Sequence, residues 1–272
     1  MRRREFITLV GGVAAAWPLV AYAQQPKRRV GMLMSGAADD REMQARLAAF
    51  LDGLQKLGWT DGLNVRIDTR WLVGDADRSR SAEELIALGP DVILASASAN
   101  VAALQRITRS VPIVFANVID PVGAGFVASL ARPGGNTTGF SAFECSLSGK
   151  WLELLKQIAP SLTRAAILRD PALAAGIGQF AAIQAMAPSS FAVELTIIDV
   201  RDPGEMERAI TAFAGEPNGG LIVTASQSVV THRDLIISLA TRYRLPNVYA
   251  FRYYPASGGL ASYGPDPIDE AL

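Results

Sequence analysis

The chain has 272 residues, enough for one or two domains and a substantial core. Half of the residues are apolar and 19% are charged, which excludes a disordered chain. Basic and acidic side chains balance at 26 each, and no Lys/Arg run interleaved with aromatics occurs, so neither nucleic acid nor an anionic membrane is an expected partner.

The first residues read as a targeting segment. "MRRREF" is basic, "ITLVGGVAAAWPLV" is moderately apolar, and "AYAQQ" offers a small-x-small cleavage site ending at Ala23. Arg3 and Arg4, followed by Glu5, Phe6 and Ile7, resemble the twin-arginine export signal. The apolar part falls short of the roughly 20 residues that span a bilayer. Residues 1–23 are therefore expected to direct export to the periplasm and to be removed. Cys145 is the only cysteine, so an internal disulfide is excluded, and it has no His or Asp in a catalytic spacing.

The mature chain opens with "KRRVGMLMSG", a strand ending in small residues. Met43, Leu47, Phe50, Leu51, Leu54 and Leu57 then recur at three and four positions, which predicts a helix stopped by Gly58. "LNVRIDTRW" alternates as a strand, and "SRSAEELIAL" is a second helix. "PDVILASASAN" is a short apolar strand of the kind buried on both faces. "VAALQRITR" follows as a helix with Val101, Leu104 and Ile107 as its stripe, and "VPIVFANV" is another strand. Strand and helix in alternation predict a parallel sheet with right-handed crossovers.

The stretch "DPVGAGFVASLARPGGNTTGF" interrupts this rhythm. It is expected to hold a tight loop, a short helix over "FVASLARP" ended by Pro133, and a bend at Gly134 and Gly135. The bend suits either a plain linker or an interdomain hinge. The alternation then restarts with "GKWLELLKQIAP", "RAAILRD", "GIGQFAAIQAMA" and "FAVELTIIDV". A helix over "PGEMERAITAFAG" follows, capped by Asp202 and Gly215, with Pro203 in its first turn. "GGLIVTAS", "HRDLIISLATRY" and "LPNVYAF" continue the pattern. The expected division is 1–23 signal, 24–137 first α/β lobe and 138–272 second α/β lobe.

Ligands of open α/β sheets bind beyond the carboxyl ends of the strands. In the first lobe this singles out Ser35 and Gly36, then Ser96, Ala97, Ser98 and Asn100, then Asn117 and Asp120. Residues 96–100 are either an ordinary N-cap or a cradle for a carboxylate at a helix start. Asp120 either caps its own loop or takes a ligand ammonium. In the second lobe the strand ends contribute Asp170, Thr224, Ser226, Gln227 and Arg252, with Phe251 and Tyr253 as aromatics able to stack on a flat ligand. A single histidine, His232, without clustered Cys, Asp or Glu makes a poor metal site, and neither a metal nor a cofactor is expected. An enzyme is disfavoured: there is no GxGxxG after the first strand, no P-loop and no GxSxG elbow.

Over residues 28 to 266 the sequence resembles the substrate-binding proteins of ABC transporters, in the group with tryptophan- and tyrosine-type binders. The resemblance rests on "PIVFANVIDPVGAGFVASLARPGGNTTGFS", "KWLELLKQIAPSLTRAAIL" and "GGLASYGPD". It implies a type I periplasmic-binding-protein fold, with two Rossmann-like lobes and a hinge. It also implies capture of a small solute, an amino acid being the best-supported class, by a monomer that delivers it to an inner-membrane permease. Relatives usually continue past "SYGPD" with a segment that returns to the first lobe, whereas this sequence stops at Leu272, soon after "PIDEAL" begins what looks like the helix of that segment. The other readings of the same pattern are a ligand-sensing domain of a signalling system and a truncated, inactive fragment.

Overall fold

The computed structural model describes residues 27–73, 76–187 and 191–266. The export signal and the expected helix at "PIDEAL" lie outside them. The first lobe contains β1 (Arg28–Ser35), α1 (Arg41–Lys56), β2 (Val65–Leu72), α2 (Arg78–Ala87), β3 (Val92–Ser96), α3 (Ser98–Ile107), β4 (Ile113–Val118) and β5 (Thr137–Ser141). A short 3-10 turn, Cys145–Ser148, leads into the second lobe. This holds α4 (Gly149–Ile158), β6 (Arg164–Arg169), α5 (Ala174–Met186), β7 (Glu194–Asp199), α6 (Pro203–Phe213) and β8 (Gly219–Val223). It continues with α7 (Gln227–Thr231), α8 (Arg233–Arg242), β9 (Asn247–Tyr249), α9 (Tyr253–Ala256) and β10 (Ala261–Ser262).

Each lobe is built on a parallel five-stranded sheet. The first sheet runs β2-β1-β3-β4-β5 and the second β7-β6-β8-β9-β10. The two orders are the same when the strands of each lobe are counted from its own first strand. In both, the chain reverses its winding direction beside the first strand, at β1/β3 and at β6/β8. The loops beyond those strands part there, which opens the crevice that α/β sheets use for ligands. The register places Val30 beside Val92 in one lobe and Ile167 beside Ile222 in the other.

Local chemistry explains the helix ends. Asp40 caps α1, its carboxylate accepting from the amides of Glu42 and Met43. Gly58 follows α1 with φ +86°, a conformation that a side chain resists. Asp202 caps α6 through the amide of Glu205, and Pro203 sits where no helical amide bond is lost. The burial of α1 is uneven: Met43 is buried, Leu47, Phe50 and Leu54 are half-buried, and Leu51 and Leu57 are exposed.

The first core packs Leu33, Leu85, Ile93, Leu104, Ile113 and Phe115 between the sheet and its helices. The second is larger and more aromatic, with Trp151, Tyr249 and Tyr254 joining Leu155, Ile167 and Ile222. Trp151 is fully buried, donates from Nε1 to the Tyr263 carbonyl at 2.7 Å, and meets Phe143 edge-on at 5.9 Å.

Three expectations are corrected. The segment "FVASLARP" is a series of turns, not a helix; Ala128 donates to the Pro133 carbonyl, and Ser129 bonds Arg132. Ile107 is 38% exposed, because Val101 and Leu104 already fill the contact of α3 with the sheet. The bend at Gly134 and Gly135 lies inside the first lobe. It turns the chain into β5, which pairs with β4 through Ile113–Thr137 and Val114–Thr138, and the crossing to the second lobe comes after Ser141. The division at 137/138 therefore falls at the start of a first-sheet strand.

Candidate functional site

The strand tips of the two lobes face each other across a crevice of about 500 Å³, counting its open mouth. From the first lobe it is lined by Ala97, Ser98 and Ala99 at the start of α3, and by Asn117 and Ile119 at the tip of β4. The second lobe supplies Leu173 and Ala175, then Ala225, Ser226, Gln227 and Val230, and Phe251 beyond β9. Most of this wall is apolar. Its polar groups are two serine hydroxyls, the amides of Asn117 and Gln227, and main-chain groups of the first helical turns.

Buried amides hold the tips in place. In the first lobe Asn100 is fully buried, and its Nδ2 faces the carbonyls of Leu33 and Ser96 and the Ser35 hydroxyl at 2.7–3.1 Å. Its Oδ1 accepts from Arg78 Nε at 2.9 Å. One side chain thus ties the ends of β1 and β3 together beneath the crevice. In the second lobe Gln179, also fully buried, donates to the carbonyls of Ala175 and Ala225 and accepts from the Ala225 amide. This fixes the β8–α7 loop against α5. Asp170 accepts from the Ala172 amide and from Ser228 Oγ, and Thr224 Oγ1 donates to the Leu168 carbonyl.

Of the residues expected at the site, Ala97, Ser98, Asn117, Ser226 and Gln227 come together at the crevice, and Phe251 joins them. Ser35, Ser96, Asn100, Asp170 and Thr224 are buried beneath it and engaged in the bonds just described. Gly36 lines an adjoining hollow with Asp40, Met43, Val73 and Arg233, separated from the crevice by Gln227 and Val230. Asp120 turns away: Oδ1 accepts from the Gly123 amide at 2.9 Å, and Oδ2 faces Cys145 Sγ at 3.8 Å. Arg252 is exposed and pairs with Asp266 at 2.6 Å.

A contact between lobes went unread in the sequence. Arg233, at the start of α8, reaches Asp40 at 3.1 Å, with both side chains about four-fifths covered. Two cations stand near the Tyr253 ring, Arg46 of α1 at 5.5 Å and Arg233 at 6.0 Å from its centre. Burial pushes the Tyr253 hydroxyl up to about 12, against the pull of the Arg46 charge, so it stays protonated. Asp40 was not singled out in the sequence, and its partner lies 193 residues away, beyond any local spacing rule. Gln179 gave no signal either, since a glutamine in a helix reads as a surface residue.

Comparison with known proteins fits this architecture. A tyrosine-binding protein of Clostridioides difficile is 25% identical over 241 residues, covering 88% of this chain and 69% of the relative. The crystal structure of a conserved domain protein from Vibrio cholerae superposes with a TM-score of 0.82 at 26% identity, covering 90% of this chain and 81% of the other. An ABC domain from Streptococcus pneumoniae in complex with L-Trp gives the same TM-score and coverage at 22% identity. Residues 35–270 match the family described as ABC transporter substrate binding protein, and the chain belongs to that family.

Proposed function

We propose that this protein is the extracytoplasmic solute-binding component of an ABC importer. It captures a small solute of about amino-acid size between its lobes and passes it to a permease in the inner membrane, acting as a monomer. The observation that carries this reading is the crevice itself, an apolar chamber flanked by strand tips from both sheets and by the Phe251 ring. The sizes of the solutes named for the relatives, tyrosine and L-Trp, support the same scale. Residues 1–23 are proposed to carry the chain to the periplasm. The Arg233–Asp40 pair and the contact of Arg46 with the Tyr253 ring close the lobes at the rim, where a trapped solute is shielded from water.

The test is a thermal-shift and calorimetric screen of the chain without residues 1–23, with amino acids, small carboxylates and sugars. A solute that binds only the folded form raises the melting temperature by mass action. Absence of a shift with every class would sink the proposal. A fusion of residues 1–30 to a reporter active only in the periplasm tests the export assignment; reporter silence would reject it.

A further inference from the structure

We infer that the solute of this crevice carries an oxygen acceptor, such as a carboxylate, on an apolar body and lacks an ammonium group; the inference rests on the solute-capture reading above. None of the described residues that line the crevice is charged. Three acids at the strand tips are committed elsewhere. Asp40 caps α1 and pairs with Arg233. Asp120 bonds the Gly123 amide within its own loop, and Asp170 bonds Ala172 and Ser228. An ammonium closed into this chamber would lose its hydration without gaining a carboxylate partner, a cost that the Coulomb attraction of a counter-charge normally offsets.

The opposite need is present. Gln227 Nε2 is shielded from solvent and has no acceptor among the described residues, although its side chain lines the crevice. A buried amide donor of this kind calls for an oxygen. Ser98 and Ala99 stand close by at the start of α3, whose cap residue Ala97 offers no side-chain acceptor to the first-turn amides. The Gln227 Nε2 donor and the first-turn amides of α3 favour a solute oxygen, while Leu173, Ala175, Val230 and Phe251 provide the surface for an apolar body.

Matched pairs test this directly. Calorimetry of the chain without residues 1–23 compares 3-phenylpropionate with L-phenylalanine, and 4-methylpentanoate with L-leucine. The expected result is binding of the amine-free acid tighter by about tenfold or more in at least one pair. Equal or tighter binding of the amino acid in both pairs overturns the inference and leaves solute capture standing. No binding by any of the four overturns the inference, and solute capture then stands or falls with the wider screen of amino acids, carboxylates and sugars. Gln227→Glu, nearly isosteric, is expected to reverse the preference within the responding pair; an unchanged ratio with unchanged melting temperature removes Gln227 from the assignment. Gln227→Leu serves as the second variant if the glutamate does not fold.

Discussion

The two lobes share one strand order but brace their ligand-facing tips differently. In the first lobe the brace is Asn100, on the helix that follows the third strand, and it recruits the Arg78 guanidinium and the Ser35 hydroxyl. In the second it is Gln179, on the helix that follows the first strand, and it bonds only main-chain groups. The sheet order dictates where a crevice opens. It leaves open which helix supplies the buried amide, provided that the free carbonyls and amides at the tips find partners. The cores differ as well, the second lobe relying on stacked and edge-on aromatics where the first has Phe115 among aliphatics.

The largest expected effect strikes the core contrast. Trp151→Ala removes the keystone of the second core and its bond to Tyr263, and should cost about 3–5 kcal/mol. Urea denaturation followed by circular dichroism would then show the second lobe melting ahead of the first. A loss below about 1 kcal/mol would show that the aromatic core is not the stronger dependence.

The braces come next. Asn100→Ala leaves two carbonyls and the Arg78 Nε without this partner, and should cost about 3 kcal/mol. Gln179→Ala should cost about 2 kcal/mol, because only neutral groups lose bonds. The reverse order in chemical denaturation would break the comparison. A smaller effect is expected at the rim. Asp40→Asn preserves the helix cap but weakens the pairing with Arg233, and should lower solute affinity by about two- to fivefold, equivalent to 0.5–1 kcal/mol. The same change in an Arg233→Gln background should add little, since the pair is already broken. Full additivity would show that the two charges act independently.

The smallest effect concerns Cys145. Burial, then the nearby Asp120 charge, raise its thiol to about 11 from an ordinary 9.0. A folded-state value above the unfolded one contributes stability that is complete below pH 9.0 and lost as pH rises toward about 11. Alkylation by iodoacetamide at pH 8 should therefore be slow in the folded protein and faster in Asp120→Asn, which removes the repelling charge. Equal rates in the two proteins would show that Asp120 does not act on the thiol.

Much of the scaffold was legible because its signals are local. Strand and helix alternate with clear periodicity, and Asp202, Pro203 and Gly58 mark ends through their own backbone chemistry. Residues 126–133 were misread as a helix because Phe126, Val127 and Leu130 mimic helical spacing, while their backbone partners lie within the loop. The site was legible only at the level of strand ends. That rule gathers Ala97, Ser98, Asn117, Ser226 and Gln227, but it also gathers Asn100 and Asp170, which face inward. Whether a polar group at a tip meets the crevice or props it from below depends on neighbours tens of residues distant, such as Leu33 for Asn100 and Ser228 for Asp170.

Gly139 in β5 carries a consequence for how the sequence can drift. A methyl group built there would stand 2.1 Å from the Phe115 carbonyl oxygen and 2.6 Å from its nitrogen. Both are backbone atoms of β4, so no rotamer change can relieve the clash. In a saturation library scored for soluble accumulation, position 139 should therefore accept almost no replacement, while Gly62 and Gly89, with nothing within 4 Å of a built methyl, should survive more of them.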